Sequence, residues 1–181
     1  VDIEALKKSD LSRVKIMWVN FPHMPTGRVA SREEMKELVD LARRNNFLIV
    51  NDNPYSLILN EAPLSILSIE GADEVALELN SLSKSHNMAG WRIGWVAGNK
   101  DYIEAVLRVK SNMDSGMFLG LQYAAVQALK NGESWFTSLN GMYAERRKSV
   151  NQILNALECT YAEKQSGLFV WAKVPAHIPN V

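Results

Sequence analysis

The chain has 181 residues, 47% of them hydrophobic and 22% charged, so it is long enough and apolar enough to form a globular core. Its 20 lysine and arginine residues balance 20 aspartate and glutamate residues, which argues against a nucleic-acid or membrane-surface partner. One cysteine excludes an internal disulfide and, with three histidines, is a poor set for a metal site. This composition fits a reducing, cytoplasmic compartment, and no apolar run approaches the length of a membrane span.

The first elements alternate between strand and helix. Residues 14–20 are rich in β-branched and aromatic side chains and predict a strand, after which two prolines and a glycine force a loop at 21–27. Ser31, with Glu34 three residues later, predicts a helix start with a capping box, and apolar residues then recur at helical spacing to about residue 46.

The same alternation continues through the rest of the chain. Residues 47–51 form a continuous apolar run, which is typical of a strand buried on both faces. The remaining predicted elements are strands at 75–79 and 91–97, helices from 101, at 118–130 and at 133–158, and late strands at 160–162 and 168–174. The charged run at 146–148 is predicted to be a solvated helix face. The alternation predicts an α/β fold with a mostly parallel sheet, in which a ligand lies beyond the carboxyl ends of the strands.

The segment Ser81-Leu82-Ser83-Lys84 carries the strongest chemical signal. Most lysines are simply solvated, but burial or a nearby cation lowers the pKa of a lysine and frees its amine to form a Schiff base. Here Lys84 follows two serine hydroxyls, and Arg92 offers a planar guanidinium eight residues later. Hydroxyls and guanidinium are groups that bind phosphate. A carbonyl-binding lysine beside phosphate-binding groups is the requirement of pyridoxal phosphate (PLP).

Asp52 and Tyr55, which follow the apolar strand at 47–51, both fit the same cofactor. A carboxylate at the carboxyl end of that strand, Asp52, would pair with a protonated pyridine nitrogen and keep the ring an electron sink. The alternative is a turn aspartate before Pro54. The phenol of Tyr55, three residues on, would reach the ring oxygen, and the alternative for it is an aromatic packed at a loop base.

Three separated blocks resemble the class I/II aminotransferase family of fold-type I PLP enzymes. Residues 22–27 (Pro-His-Met-Pro-Thr-Gly) resemble its Asn-Pro-Asn-Asn-Pro-Thr-Gly loop, and residues 52–55 resemble its Asp-x-x-Tyr element. Residues 81–84 with Arg92 resemble its Ser-x-x-Lys segment and trailing arginine. The resemblance implies a three-layer PLP-dependent transferase large domain with a mostly parallel sheet, plus the start of a small α+β domain. We expect the second half of the large domain at 1–145, and the connecting helix and small-domain start at 146–181.

The resemblance also implies a role for each matching residue. Lys84 would bind the cofactor covalently and then move a proton as the catalytic residue. Asp52 would hold the pyridine nitrogen, and Tyr55 would bond the ring oxygen. Ser81 and Arg92 would bind the phosphate, with Ser83 a further candidate.

One position departs from the family pattern. Where the family has asparagine before Pro-Thr-Gly, this chain has Met24, which cannot donate a hydrogen bond to the ring oxygen. The hydrogen bond that the asparagine donates in the family would come from Tyr55 instead, or from His23 as a substitute. Because the Gly-rich phosphate turn and the carboxylate-binding arginine of the family are not found, we expect an internal piece of a larger enzyme that binds PLP weakly and does not transaminate alone.

The expected activity is transfer of an amino group between an amino acid and a 2-oxo acid, by a protein that is a homodimer when complete. Two alternatives stay open on the residues alone. A PLP-dependent β-lyase or decarboxylase would use the same lysine and aspartate, because the cofactor supplies the electron sink and the pocket selects the bond to break. A non-catalytic effector module of a regulator would retain the motifs by descent.

Overall fold

The computed structural model describes residues 1–178 of the chain. The elements in that range are α1 (Ile3–Lys7), β1 (Ile16–Asn20), α2 (Arg32–Asn45), β2 (Leu48–Asp52), α3 (Ala72–Val75), β3 (Ala76–Ser81), α4 (Leu82–Ser85), β4 (Gly94–Gly98), α5 (Lys100–Met113), α6 (Leu119–Ala128), α7 (Glu133–Ala156), β5 (Thr160–Tyr161) and β6 (Ala172–Lys173).

A four-stranded sheet in the order β1-β2-β3-β4 forms the centre of the fold. Strands β1, β2 and β3 run parallel, and β4 is antiparallel to β3. The register pairs Asn20 with Asp52 and Asp52 with Leu79, so the three parallel strands end at one edge of the sheet. The predicted α/β fold with a mostly parallel sheet is confirmed.

Helix α2 covers one face of the sheet, because its apolar side chains recur on one side. The hydroxyl of Ser31 accepts the N–H of Glu34 at 3.1 Å, and the Glu34 carboxylate accepts the N–H of Ser31 at 2.8 Å, which confirms the predicted capping box. The buried cluster between helix and sheet includes Met35, Leu38, Val39 and Ala42 from α2, and Val19, Ile49 and Ala76 from the strands.

The opposite face of the sheet is more open. Trp18 of β1 is 63% exposed on that face, because side chains alternate along a strand and its neighbour Val19 points into the core. Helices α5 and α6 also keep large apolar side chains exposed, among them Leu107, Val109 and Phe118. No helix within residues 1–178 combines the length and the apolarity needed to cross a membrane.

The strand predicted at 91–97 begins later than expected. Residues 89–91 form one turn of 3-10 helix, and Arg92 then adopts a left-handed conformation with a φ of 55°. Strand β4 starts at Gly94, where a Cβ atom would come within 2.7 Å of the Asn80 carbonyl oxygen. The late strands shorten to the antiparallel pair β5 and β6. The domain division at residue 146 stays a prediction, and α7 crosses it as one continuous helix.

The capping box gives a test of local stability. Ser31→Ala removes the hydroxyl that accepts a backbone N–H, so we expect the free energy of unfolding to fall by about 1 kcal/mol. Equilibrium urea unfolding measures it, with the exposed Ser149→Ala in α7 as the matched control. An equal loss in both variants would contradict the role of the cap.

Candidate active site

Side chains as well as backbone join the ends of the parallel strands. Asn20, the last residue of β1, donates through Nδ2 to the carbonyl oxygen of Asp52 at 2.6 Å. Its Oδ1 accepts the N–H of Met24 at 2.7 Å, so one side chain ties the loop after β1 to the end of β2. The N–H of Asn53 donates to the carbonyl of Leu79 at 2.9 Å. The segments that follow the three strands are thereby held at one edge, as predicted.

Lys84 lies in the short helix α4, directly after β3. Ser81 caps this helix: its hydroxyl oxygen accepts a backbone N–H two residues on at 3.1 Å and donates to the carbonyl of Ile93 at 3.2 Å. The far end of the turn is held by α7, since the indole N–H of Trp135 donates to the carbonyl of Ser85 at 2.9 Å. The backbone on both sides of the half-buried lysine is therefore anchored.

Tyr55 brings the candidate residues together. Its side chain is only 9% exposed, and Lys84 Nζ lies 6.0 Å from the centroid of its ring. The ring of Phe169 meets it edge-on at 6.0 Å between centroids. Burial raises the pKa of the Tyr55 phenol, and the negative charge of Asp52 raises it further. At neutral pH the phenol is therefore a hydrogen-bond donor close to the lysine amine.

Asp52 completes this group from the face of the sheet opposite α2. Its neighbour Asn51 points the other way and donates to the buried carboxylate of Glu78 at 3.2 Å. Burial raises the pKa of Asp52, and in the described part of the chain no cation or donor counters that effect. A half-buried carboxylate of this kind is suited to a cationic partner, which is what a protonated pyridine nitrogen provides. The residues present thus fit PLP at its ring.

Arg92 lies in the turn that precedes β4. One of its guanidinium N–H groups donates to the carbonyl of Ala89 at 2.8 Å, and the rest of the side chain is exposed. It lines an open cavity of about 820 Å³ together with Lys110 and Asp114. The backbone of Ile93 links it to the Ser81 hydroxyl. The structure therefore brings Tyr55 close to Lys84 and to Asp52, and it places Arg92 next to the residue whose carbonyl binds Ser81.

The loop after β1 shows how the chain accommodates methionine at position 24. The Met24 side chain is 46% exposed, and its backbone N–H is held by Asn20. His23 Nδ1 lies 2.7 Å from the hydroxyl oxygen of Thr26, so this ring nitrogen is engaged inside the loop. Because that nitrogen is engaged with Thr26, it is not free to replace the missing asparagine donor.

Sequence reasoning missed Asn20 and Arg147. Asn20 carries a readable signal, because it is a polar residue at the carboxyl end of a predicted strand. The prediction of a solvated face at 146–148 is correct for the two outer residues and wrong for Arg147, which is half-buried. Its guanidinium donates to three backbone carbonyls, those of Gln165, Gly167 and Phe169. Burial lowers the pKa of Arg147.

The sequence profile of one family, aminotransferase class I and II, matches residues 1–178. The chain belongs to this family. Members of the aminotransferase class I and II family are PLP enzymes, which agrees with a lysine, a tyrosine and an aspartate gathered at the carboxyl edge of the sheet. The resemblance inferred from the three sequence blocks is confirmed.

Two relatives in this aminotransferase family are similar over nearly the whole chain. The LL-diaminopimelate aminotransferase of Desulforudis audaxviator is 43% identical over 177 residues, which are 97% of this chain and 45% of the relative. That of Natranaerobius thermophilus is 40% identical over 97% of this chain and 46% of the relative. The chain thus spans less than half the length of these relatives.

Two solved structures agree with this fold in three dimensions. BacF from Bacillus subtilis superposes with a TM-score of 0.91 at 32% identity, covering 98% of this chain and 46% of that structure. A probable N-succinyldiaminopimelate aminotransferase from Thermus thermophilus gives a TM-score of 0.90 at 28% identity, over 98% of this chain and 48% of that structure.

The raised pKa of Asp52 predicts how stability depends on pH in the cofactor-free protein. A raised pKa means that the folded state binds the proton more tightly than the unfolded chain does. The stability from this group is therefore complete below about pH 4 and is lost as pH rises through the folded-state pKa. We expect Asp52→Asn to raise the free energy of unfolding at neutral pH and to lose that advantage towards pH ~4.

Urea unfolding across this pH range measures the difference between variant and wild type. Glu163→Gln removes an exposed carboxylate and is the control. A difference for Asp52→Asn that stays constant with pH would contradict the assignment.

Proposed function

We propose that this protein is a PLP-dependent aminotransferase that moves an amino group between an amino acid and a 2-oxo acid. The observation that carries the proposal is the approach of Lys84 to the buried Tyr55 ring, beside the Asp52 carboxylate. Family membership over residues 1–178 supports the cofactor and the class of reaction. These three residues would act as a unit, and each has a distinct task.

The ring end of the cofactor would be held by Asp52 and Tyr55. PLP, when bound, supplies an electron sink that stabilises negative charge at the substrate α-carbon. Asp52 would hold the proton on the pyridine nitrogen by pairing with it, which returns the pKa of Asp52 towards or below its ordinary range. Tyr55 would donate its phenol hydrogen to the ring oxygen. Lys84 would hold the aldehyde carbon covalently and, once released by the incoming amine, carry a proton to and from the substrate α-carbon.

The phosphate end would be held by Ser81 and Arg92. The Ser81 hydroxyl already lies at the N-terminus of α4, next to Ile93. The exposed guanidinium of Arg92 has donors left after its contact with Ala89. A planar guanidinium is suited to bidentate binding of phosphate. Once phosphate occupies Arg92, this arginine cannot also bind the carboxylate of the amino-acid substrate.

The names of the relatives guide the choice of substrate. Two relatives at 40% and 43% identity are LL-diaminopimelate aminotransferases, so we propose LL-diaminopimelate as the first amino donor to test, with a 2-oxo acid as acceptor. We also propose a homodimer in the cytoplasm. The family resemblance supports the dimer, and the single cysteine supports the compartment.

Lys84→Ala tests the central assignment in the complete protein that carries this sequence. We expect loss of the covalent cofactor adduct after borohydride reduction, measured by mass spectrometry. We also expect turnover to fall by at least ~100-fold, because a proton-transferring group is lost together with the covalent attachment.

Lys100→Ala is the control, since its side chain is 84% exposed and distant from Tyr55 in the chain. An adduct that survives Lys84→Ala would show that another lysine binds the cofactor. Release of ammonia and a 2-oxo acid from the amino donor, with no new amino acid formed, would replace the aminotransferase proposal with a lyase.

A further inference from the structure

Residues 165–169, called here the bracing segment, connect two parts of the candidate site. The N–H of Ser166 donates to the carbonyl of Gly27 at 2.9 Å, at the end of the loop after β1. The N–H of Gly167 donates to the carbonyl of Ile58 at 2.8 Å, in the turn after Tyr55. The segment thus fixes the loop after β1 and the turn after β2 relative to each other.

The bracing segment also forms the wall behind Tyr55. Gly167 has a φ of 86°, and a Cβ atom there would lie 3.4 Å from the Cβ atom of Tyr55. Phe169 meets the Tyr55 ring edge-on. Since Lys84 Nζ lies near the same ring, the ring is confined between the bracing segment and the lysine. A shift of this wall would move the phenol relative to the lysine amine.

Arg147 holds the wall in place. Its guanidinium donates to three carbonyls of the bracing segment, at 2.7 Å to Gly167 and 3.2 Å to Phe169, with Gln165 the third. Within residues 1–178 no carboxylate forms an ion pair with it, so backbone dipoles are the partners of this half-buried charge. If Arg147 were removed, each of these carbonyls would have to accept a hydrogen bond from water instead or change position.

Helix α7 supplies the rigid base for this contact. Two turns before Arg147, Asn140 donates to the carbonyl of Leu57 at 3.0 Å and accepts the N–H of Leu59 at 2.7 Å. Residues seven apart lie on the same face of a helix. One face of α7 therefore holds both the turn that follows Tyr55 and the wall behind it.

We propose that Arg147 is a positioning residue for Tyr55, which gathers the carbonyls of the bracing segment and so fixes the direction of the phenol O–H relative to Lys84. Arg147 acts through the backbone, because its guanidinium hydrogen bonds go to carbonyls of the bracing segment. The consequence for the bound cofactor rests on the proposed function; the consequence for Tyr55 itself does not.

The shape of the guanidinium makes the proposal specific. Five N–H donors in a rigid plane reach three carbonyls spread over five residues, whereas a lysine ammonium is a point charge on a flexible stem. Arg147→Lys preserves the charge and loses this geometry. We therefore expect it to reproduce most of the effect of Arg147→Met, which a purely electrostatic role would not do.

The first experiment follows the Tyr55 phenol in the cofactor-free protein by NMR of 13C-labelled tyrosine. Tyr55→Phe assigns its signal. We expect Arg147→Met and Arg147→Lys to lower the pKa of Tyr55 towards its ordinary value of 10.0, because a loosened wall admits water to the ring. Lys148→Met, an exposed neighbour on the same helix, is the control and should leave it unchanged.

The second experiment titrates the absorption of PLP bound to the complete protein. Tyr55→Phe should raise the titration midpoint, because the ring oxygen loses a donor and holds its proton more tightly. Arg147→Met should raise it in the same direction by less. It should add no shift in a Tyr55→Phe background, because its effect passes through the phenol.

The outcomes separate the two proposals. If the complete wild-type protein forms no borohydride-reducible adduct with PLP, the proposed function is overturned, and the NMR titration still decides the role of Arg147. An unchanged Tyr55 pKa in both folded Arg147 variants overturns the positioning role. So does an Arg147→Met shift of equal size with and without Tyr55. If Arg147→Met fails to fold, as judged by circular dichroism, Arg147→Lys carries the test.

Discussion

The parallel register of β1, β2 and β3 is the constraint on which the candidate site depends. Asn20, Asp52 and Leu79 occupy paired positions, so the segments that leave these strands emerge at one edge. The pleat then decides which side chains face each other: Asn51 turns towards Glu78 on one face of the sheet, and Asp52 turns to the opposite face. A slip of one residue in this register would exchange them and remove the carboxylate from the site.

The elements that depend on local patterns were predicted correctly from the sequence, whereas the roles of the residues in the matched blocks stay predictions. The capping box at Ser31 and the apolar run before Asp52 are local, so their outcome follows from spacing alone. The later start of β4 was missed because the residue in the left-handed conformation is Arg92 itself and not a glycine. Arg147 was missed for a different reason. Its partners are backbone carbonyls some twenty residues away, and backbone carbonyls carry no sequence signal.

Much of the site is held by backbone polar groups and a few side chains that bind them. Asn20 donates to the carbonyl of Asp52, Trp135 to that of Ser85 beside Lys84, and Arg147 to that of Gly167, which packs against Tyr55. None of these three donors takes part in the proposed chemistry. Such contacts leave the carboxylate, phenol and amine free while limiting their motion. The side chains proposed to react are therefore different from the side chains that fix the backbone around them, which is the usual condition for a preorganised polar site.

At position 92 the residue that is best for stability differs from the residue that the proposed function needs, because the backbone there is left-handed. A residue with a side chain loses about 1 kcal/mol in this conformation, and glycine does not. A selection for thermal stability alone would therefore favour glycine at position 92 and discard the guanidinium that we assign to the phosphate. Arginine at that turn places a local strain in the fold, and under our proposal phosphate binding is the function that this strain serves. Libraries built to stabilise this protein should hold position 92 constant.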